Sequence, residues 1–242
     1  MGLIAVILDV SLTARDAVYL SYQVAARSGA ALVGVGSLGW RSLEDSEKLR
    51  HEFVVGARAA GVRAETVLLP SFSIKSLRER FTELEMLIIG LDTLVEISAD
   101  KRLLAESPWP VWIVPQQLNL RRGLVVLEDP PENSPALAAG LRLGHRWRLE
   151  LSVQVIGSRY PGLAELPSLK ELSLPILAAD RFDSRALDLL LREHKFDIVM
   201  LDGKILSSNN WDLSCCVSCV AAVYPLSEKI EGHRQARPDI ER

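Results

Sequence analysis

The same order of segments occurs twice along this chain. The first copy runs from about Leu3 to Pro115 and the second from about Leu124 to Pro225. Each opens with an apolar run ending in a carboxylate, LIAVILD at Asp9 and GLVVLED at Asp129. Each carries a late segment in which an acidic residue precedes an apolar stretch, EMLIIG from Glu85 and DIVMLD from Asp197. Each closes on a short apolar run and a proline, PVWIVP at Pro115 and VAAVYP at Pro225. Internal repetition constrains architecture more tightly than any single residue, because each copy must be one supersecondary unit. The 242 residues suit two domains of about 100–150 residues each. The expected division is 1–118 for the first domain, 119–227 for a divergent second, and 228–242 for a flexible tail poor in apolar residues.

Within each copy, strands alternate with helices. IAVIL (4–8) is a continuous β-rich run of the kind that is covered on both faces in a parallel sheet. Thr13–Ser28 carries apolar groups at helical spacing, and Gly29 suits its end. ALVGVGS (31–37), RAETVLL (63–69), MLIIG (86–90) and VWIV (111–114) complete five strands. The helices between them are expected at Leu43–Ala60, from an N-cap at Ser73 to about Glu83, and at about 94–106. The second copy repeats this with a helix near Ser134–Leu143 and another at Ser184–His194. Pro161, Pro167 and Pro175 interrupt it where the first copy has an unbroken helix. Such alternation implies right-handed crossovers and parallel sheets, with ligands at the carboxyl ends of the strands.

Composition narrows the functional classes. Apolar residues make up 48% of the chain, which supports a sizeable core, and the formal net charge is −3. That charge argues against a surface built to neutralise nucleic-acid phosphates. No apolar stretch reaches the roughly 18 residues of a bilayer span. The N-terminal MGLIAVILDV has no Lys or Arg before its apolar run and is not expected to be a signal peptide. A cytoplasmic protein that binds neither nucleic acid nor membrane is therefore expected. Cys215, Cys216 and Cys219 read CCVSC. A buried structural role is the first reading, with thiol chemistry or metal ligation at Cys216 and Cys219 as competing ones. No metal site is expected, because no histidine has a partner at ligand spacing. No catalytic triad is proposed either, since none of His51, His145, His194 and His233 lies near a nucleophile signature. Trp109 and Trp112 flank the fifth strand and are read as core or inter-domain packing.

Each copy resembles a universal stress protein domain, and the whole chain is similar to a tandem universal stress protein. The residues that carry the likeness are ILD at Asp9, LED at Asp129 followed by PPENSPAL, the strands EMLIIG and DIVMLD, and the closing SPWPVWIVP. The resemblance implies two five-stranded parallel α/β sheets flanked by helices, Rossmann-like, with strand order 3-2-1-4-5. It also implies pairing through the fifth strands, so that one chain forms an internal pseudo-dimer; two chains could further assemble as a homodimer.

In nucleotide-binding members of that family an aspartate ends the first strand. A loop spaced Gly-x2-Gly-x9-Gly-Ser/Thr after the fourth strand cradles the phosphates, since only a backbone without side chains closes around phosphate oxygens. Carried over, the candidate cleft consists of Asp9, Ser11, Val33, Gly90 and Thr93. Gly90 fits the first glycine, but the next positions are Thr93, Leu103 and Leu104. In the second copy the corresponding positions are Asp202, Ile205, Cys215 and Cys216. Asp92 and Asp202 would stand where a polyphosphate is expected. A carboxylate about 4 Å from a phosphate charge costs about 1 kcal/mol in water and about 4 kcal/mol at an effective dielectric of 20. The leading expectation is a non-enzymatic stress-response or regulatory protein without normal ATP binding and without a standing cofactor, acting on an unknown protein partner. The competing expectation is an adenine-nucleotide-binding protein that uses the first copy alone, taking ATP or AMP at Asp9, with weak ATP hydrolysis at most.

Overall fold

The structure is a computed structural model that describes residues 2–37, 43–96, 104, 107–116, 119–128, 134–156, 176–179, 184–208 and 218–225. The first half contains β1 (Leu3–Ile7), α1 (Leu12–Ser28), β2 (Ala31–Ser37), α2 (Leu43–Ala59) and β3 (Ala64–Leu69). It continues with α3 (Ile74–Arg80), β4 (Leu84–Gly90), α4 (Leu91–Glu96) and β5 (Val111–Val114). The second half contains β6 (Arg122–Glu128), α5 (Pro135–Trp147), β7 (Glu150–Ile156) and β8 (Ile176–Ala179). It ends with α6 (Ser184–His194), β9 (Ile198–Asp202), α7 (Gly203–Ser208) and β10 (Val220–Tyr224). The prolines at 161, 167 and 175, Cys215, Cys216 and the tail lie outside the described residues.

The ten strands form one sheet in the order β3-β2-β1-β4-β5-β10-β9-β6-β7-β8. Each half is a parallel unit of order 3-2-1-4-5, as the resemblance implied. The halves join where β5 and β10 pair antiparallel, with Ile113 opposite Ala221, Trp112 opposite Ala222 and Val111 opposite Val223. Alternation along β1 explains the continuous apolar reading. Ile4, Val6 and Leu8 enter the core beneath α1 and α2, whereas Ala5 and Ile7 enter the core beneath α3 and α4. A strand buried on both faces has no polar side to show.

Helix ends follow the expected local chemistry. Ser11, Ser73 and Ser134 cap α1, α3 and α5, each accepting from a backbone N–H three residues on, at 3.2, 3.0 and 3.0 Å. Two lengths differ from the sequence reading. Helix α3 stops at Arg80 rather than near Glu83, because Phe81 turns extended and buries its ring. Helix α5 runs four residues past Leu143, to Trp147, and Arg148 ends it in the left-handed region at φ 56°. Helix α4 begins directly after Gly90, three residues earlier than expected, while most of 97–106 lies outside the described residues.

The chain crosses between halves under the control of one carboxylate. Asp197, just before β9, accepts the backbone N–H groups of Arg121 and Arg122 at 2.7 and 2.9 Å. These two bonds fix where β6 enters the sheet. Charge-assisted bonds of this kind contribute about 1.5–3 kcal/mol. Asp197→Ala is therefore expected to lower unfolding stability by about 1.5–3 kcal/mol in urea titrations, with Asp197→Asn retaining part of the difference.

Candidate functional site

The carboxyl ends of β1 and β4, with the first turns of α1 and α4, bring together four of the five residues singled out above. Asp9 is 8% exposed and Thr93 1% exposed. The Asp9 carboxylate accepts the Val10 N–H at 2.6 Å and the Thr93 hydroxyl at 3.4 Å. The Thr93 hydroxyl also lies 3.4 Å from the Ser11 hydroxyl, which caps α1. Thr13 adds a second tie across the same gap, its hydroxyl accepting the Asp92 N–H at 3.0 Å. Thus β1, α1 and α4 are knotted together by short polar side chains. Val33 does not join them. It is completely buried within β2, on the core face shared with Val35 and Ile89.

Gly90 is needed for a packing reason. A Cβ there would come within 2.5 Å of the Ala14 nitrogen and 2.6 Å of the Thr13 carbonyl carbon. The start of α1 therefore rests directly on the end of β4. Thr13 was not anticipated as part of this arrangement. The available signal was its place two residues after an N-cap serine, facing the strand end that carries a glycine.

The counterpart in the second half is built differently. Strand register gives the correspondence: Ile88 lies opposite Val6 and Trp112, and Met200 lies opposite Val125 and Ala222. Two residues further along β4 and β9, Gly90 corresponds to Asp202. Three residues further along β1 and β6, Asp9 corresponds to Glu128, not to Asp129 as the sequence motif suggested. Asp129 itself lies outside the described residues. Asp202 accepts the Ala136 N–H at 2.9 Å, while Ser134 takes the Leu137 N–H. The carboxylate occupies the positive end of α5, where the first unpaired backbone donors lie.

A cleft of about 370 Å³ opens between α1 and α2 beside Asp9, with Arg15, Tyr19, Tyr22, Glu52 and Phe53 in its walls. Tyr22 donates its hydroxyl to the Phe53 carbonyl at 2.9 Å. Burial, reinforced by Tyr19, pushes its phenol up to about 12, so it stays neutral at ordinary pH. Both residues fall inside segments of helical spacing, so the sequence alone does not mark this aromatic pair. Cys219 is fully buried beside the seam strand, which agrees with the structural reading of that thiol. Among the described residues no group of three or more His, Cys, Asp or Glu could hold a metal ion. No described helix is long and apolar enough to cross a membrane.

The fold is that of the universal stress proteins. A universal stress protein from Archaeoglobus fulgidus DSM 4304 superposes with a TM-score of 0.72 at 13% identity, covering 93% of this chain and 98% of that one. A functionally unknown protein from Pseudomonas aeruginosa PAO1 gives a TM-score of 0.65 at 12% identity, covering 96% and 95%. A protein described among the universal stress proteins of Pseudomonas aeruginosa UCBPP-PA14 gives 0.65 at 12%, covering 96% of both chains. At such identities the likeness is one of fold. No family model and no curated protein matches the sequence.

Two substitutions separate the two halves' solutions. Gly90→Ala is expected to destabilise by about 1–3 kcal/mol, since the clash is with backbone rather than a movable side chain. Asp202→Ala is expected to cost about 0.5–2 kcal/mol through loss of a helix-terminal acceptor. Chemical denaturation with the same probe on both variants measures each.

Proposed function

We propose that this chain is a non-enzymatic regulatory or stress-response module of the universal stress protein type, and that it does not bind ATP in the manner of the family's nucleotide-binding members. The observation that carries this is the Asp202 carboxylate bonded to the first turn of α5. A carboxylate in that place serves as a built-in anion at the helix end where a phosphate would otherwise gain from the same donors. In the first half the room beside Gly90 is taken by the backbone of α1. No further glycine occurs until Gly123, so the sequence supplies no second or third phosphate-loop glycine there. A partner protein and assembly into homodimers belong to this proposal.

A second reading has one observation in its favour. The cleft beside Asp9 offers a carboxylate, an arginine and an aromatic wall in about 370 Å³. Those features suit a nucleoside or AMP better than ATP, because they provide a base-sized space without a phosphate cradle.

Calorimetry and thermal denaturation with ATP–Mg²⁺, AMP and adenosine test both readings. A ligand present at about 100 times its Kd stabilises the folded state by about 2.7 kcal/mol, which is readily seen. No response to ATP–Mg²⁺ at millimolar concentration is expected. Micromolar ATP binding that disappears in Asp9→Ala would overturn the proposal. Binding of AMP or adenosine alone, lost in the same variant, would establish the second reading.

A further inference from the structure

Another cavity, of about 260 Å³, lies at the seam and shares no lining residue with the cleft beside Asp9. Its first-half wall comes from the amino ends of β1, β4 and β5, including Ile4, Met86 and Pro110. Its second-half wall comes from α5 and from Tyr224 at the end of β10. Trp112, Trp147 and Tyr224 make it aromatic, with the two indoles edge to face at 6.0 Å. A cavity of about 150 Å³ suffices for benzene, so this one admits a fused two-ring system.

The polar groups around it are mostly donors. The buried indole Nε1–H of Trp112 has no hydrogen-bond partner. Burial raises the Tyr224 phenol, and the Trp112 indole and the Arg142 guanidinium near it act in the opposite direction. Arg146 follows one turn after Arg142 on α5, and both are exposed at the rim. Neither makes a salt bridge among the described residues. Arg27 lies over the Trp147 ring, 5.1 Å from the ring centre. The acidic side chain in the lining is Glu85, and the Ser28 hydroxyl is already directed to the Ala25 carbonyl at 3.3 Å. Two lining guanidinium groups against one carboxylate leave a single positive charge to balance. Buried donors without acceptors are costly, and a ligand acceptor removes that cost.

We infer that the seam cavity is a binding site for a small planar aromatic monocarboxylate. The ring system lies among Trp112, Trp147 and Tyr224. The carboxylate meets Arg142 and Arg146 and can accept from the Tyr224 hydroxyl and the Trp112 indole N–H. Glu85 disfavours dianions at the same rim. Because the walls come from both halves, an occupied site ties β5 and α5 together. This site is separate from the Asp9 cleft, and its occupancy does not depend on whether a nucleotide binds there.

The test uses the full chain with 2-naphthoate as probe and the neutral 2-naphthamide as its control. Tryptophan fluorescence reports directly, since Trp112 and Trp147 form the wall. Saturable quenching by naphthoate below about 1 mM is expected, with the amide about tenfold weaker or worse. Arg142→Gln, an exposed change that leaves the core intact, is expected to weaken naphthoate about tenfold and leave the amide unaltered. Ala139→Leu fills the cavity and is expected to abolish both. Arg192→Gln, on the distant α6, is expected to change neither. Absence of saturable quenching in the parent chain would overturn the inference. So would equal affinity for acid and amide, or naphthoate binding indifferent to Arg142→Gln.

Discussion

The antiparallel contact between β5 and β10 is the constraint on which the rest depends. A five-stranded parallel unit leaves a fifth-strand edge with unpaired N–H and C=O groups. Here two such edges satisfy one another within one chain, and ten strands become one sheet. Trp112 at the centre of that contact is fully buried and reaches across to Trp147 of the other half. Asp197 then holds the backbone of Arg121 and Arg122 at the point of entry to β6.

Given that frame, each half must bring its first helix down onto the end of its fourth strand. The first half does so by removing a side chain, and Gly90 lets the backbone of α1 make contact. The second half does so by adding one, and Asp202 bonds to the first turn of α5. Both solutions satisfy packing and helix-end chemistry. Only the second bonds a carboxylate of its fourth strand to the first turn of its first helix, although the strand orders of the halves agree.

Strand positions were legible because a strand covered on both faces must read as a continuous apolar run, as LIAVI and VAAVY do. A cap was legible at Ser73, where a serine precedes a helical pattern, whereas Ser134 read as the first residue of its helix. The ends of α3 and α5 were not, since they depend on where Phe81 finds a core and where Arg148 turns left-handed. At the candidate site the sequence named Asp9, Ser11, Gly90 and Thr93, and they converge. It could not show that Thr13 and Thr93 close the gap between α1 and α4, because those bonds span 79 and 84 residues. Motif spacing paired Asp9 with Asp129. Register pairs it with Glu128, because only hydrogen-bonded strands keep count.

The crossing of Trp112 with Ala222 has a consequence for how such a chain can vary. In a two-fold dimer of identical chains, the residue on the axis meets its own copy, so its size is chosen twice at once. A tryptophan there would face a tryptophan. Joining the halves in one polypeptide removes that equality, and a large ring can be set against a methyl group. The axis position becomes two independent choices, and so does every position around it.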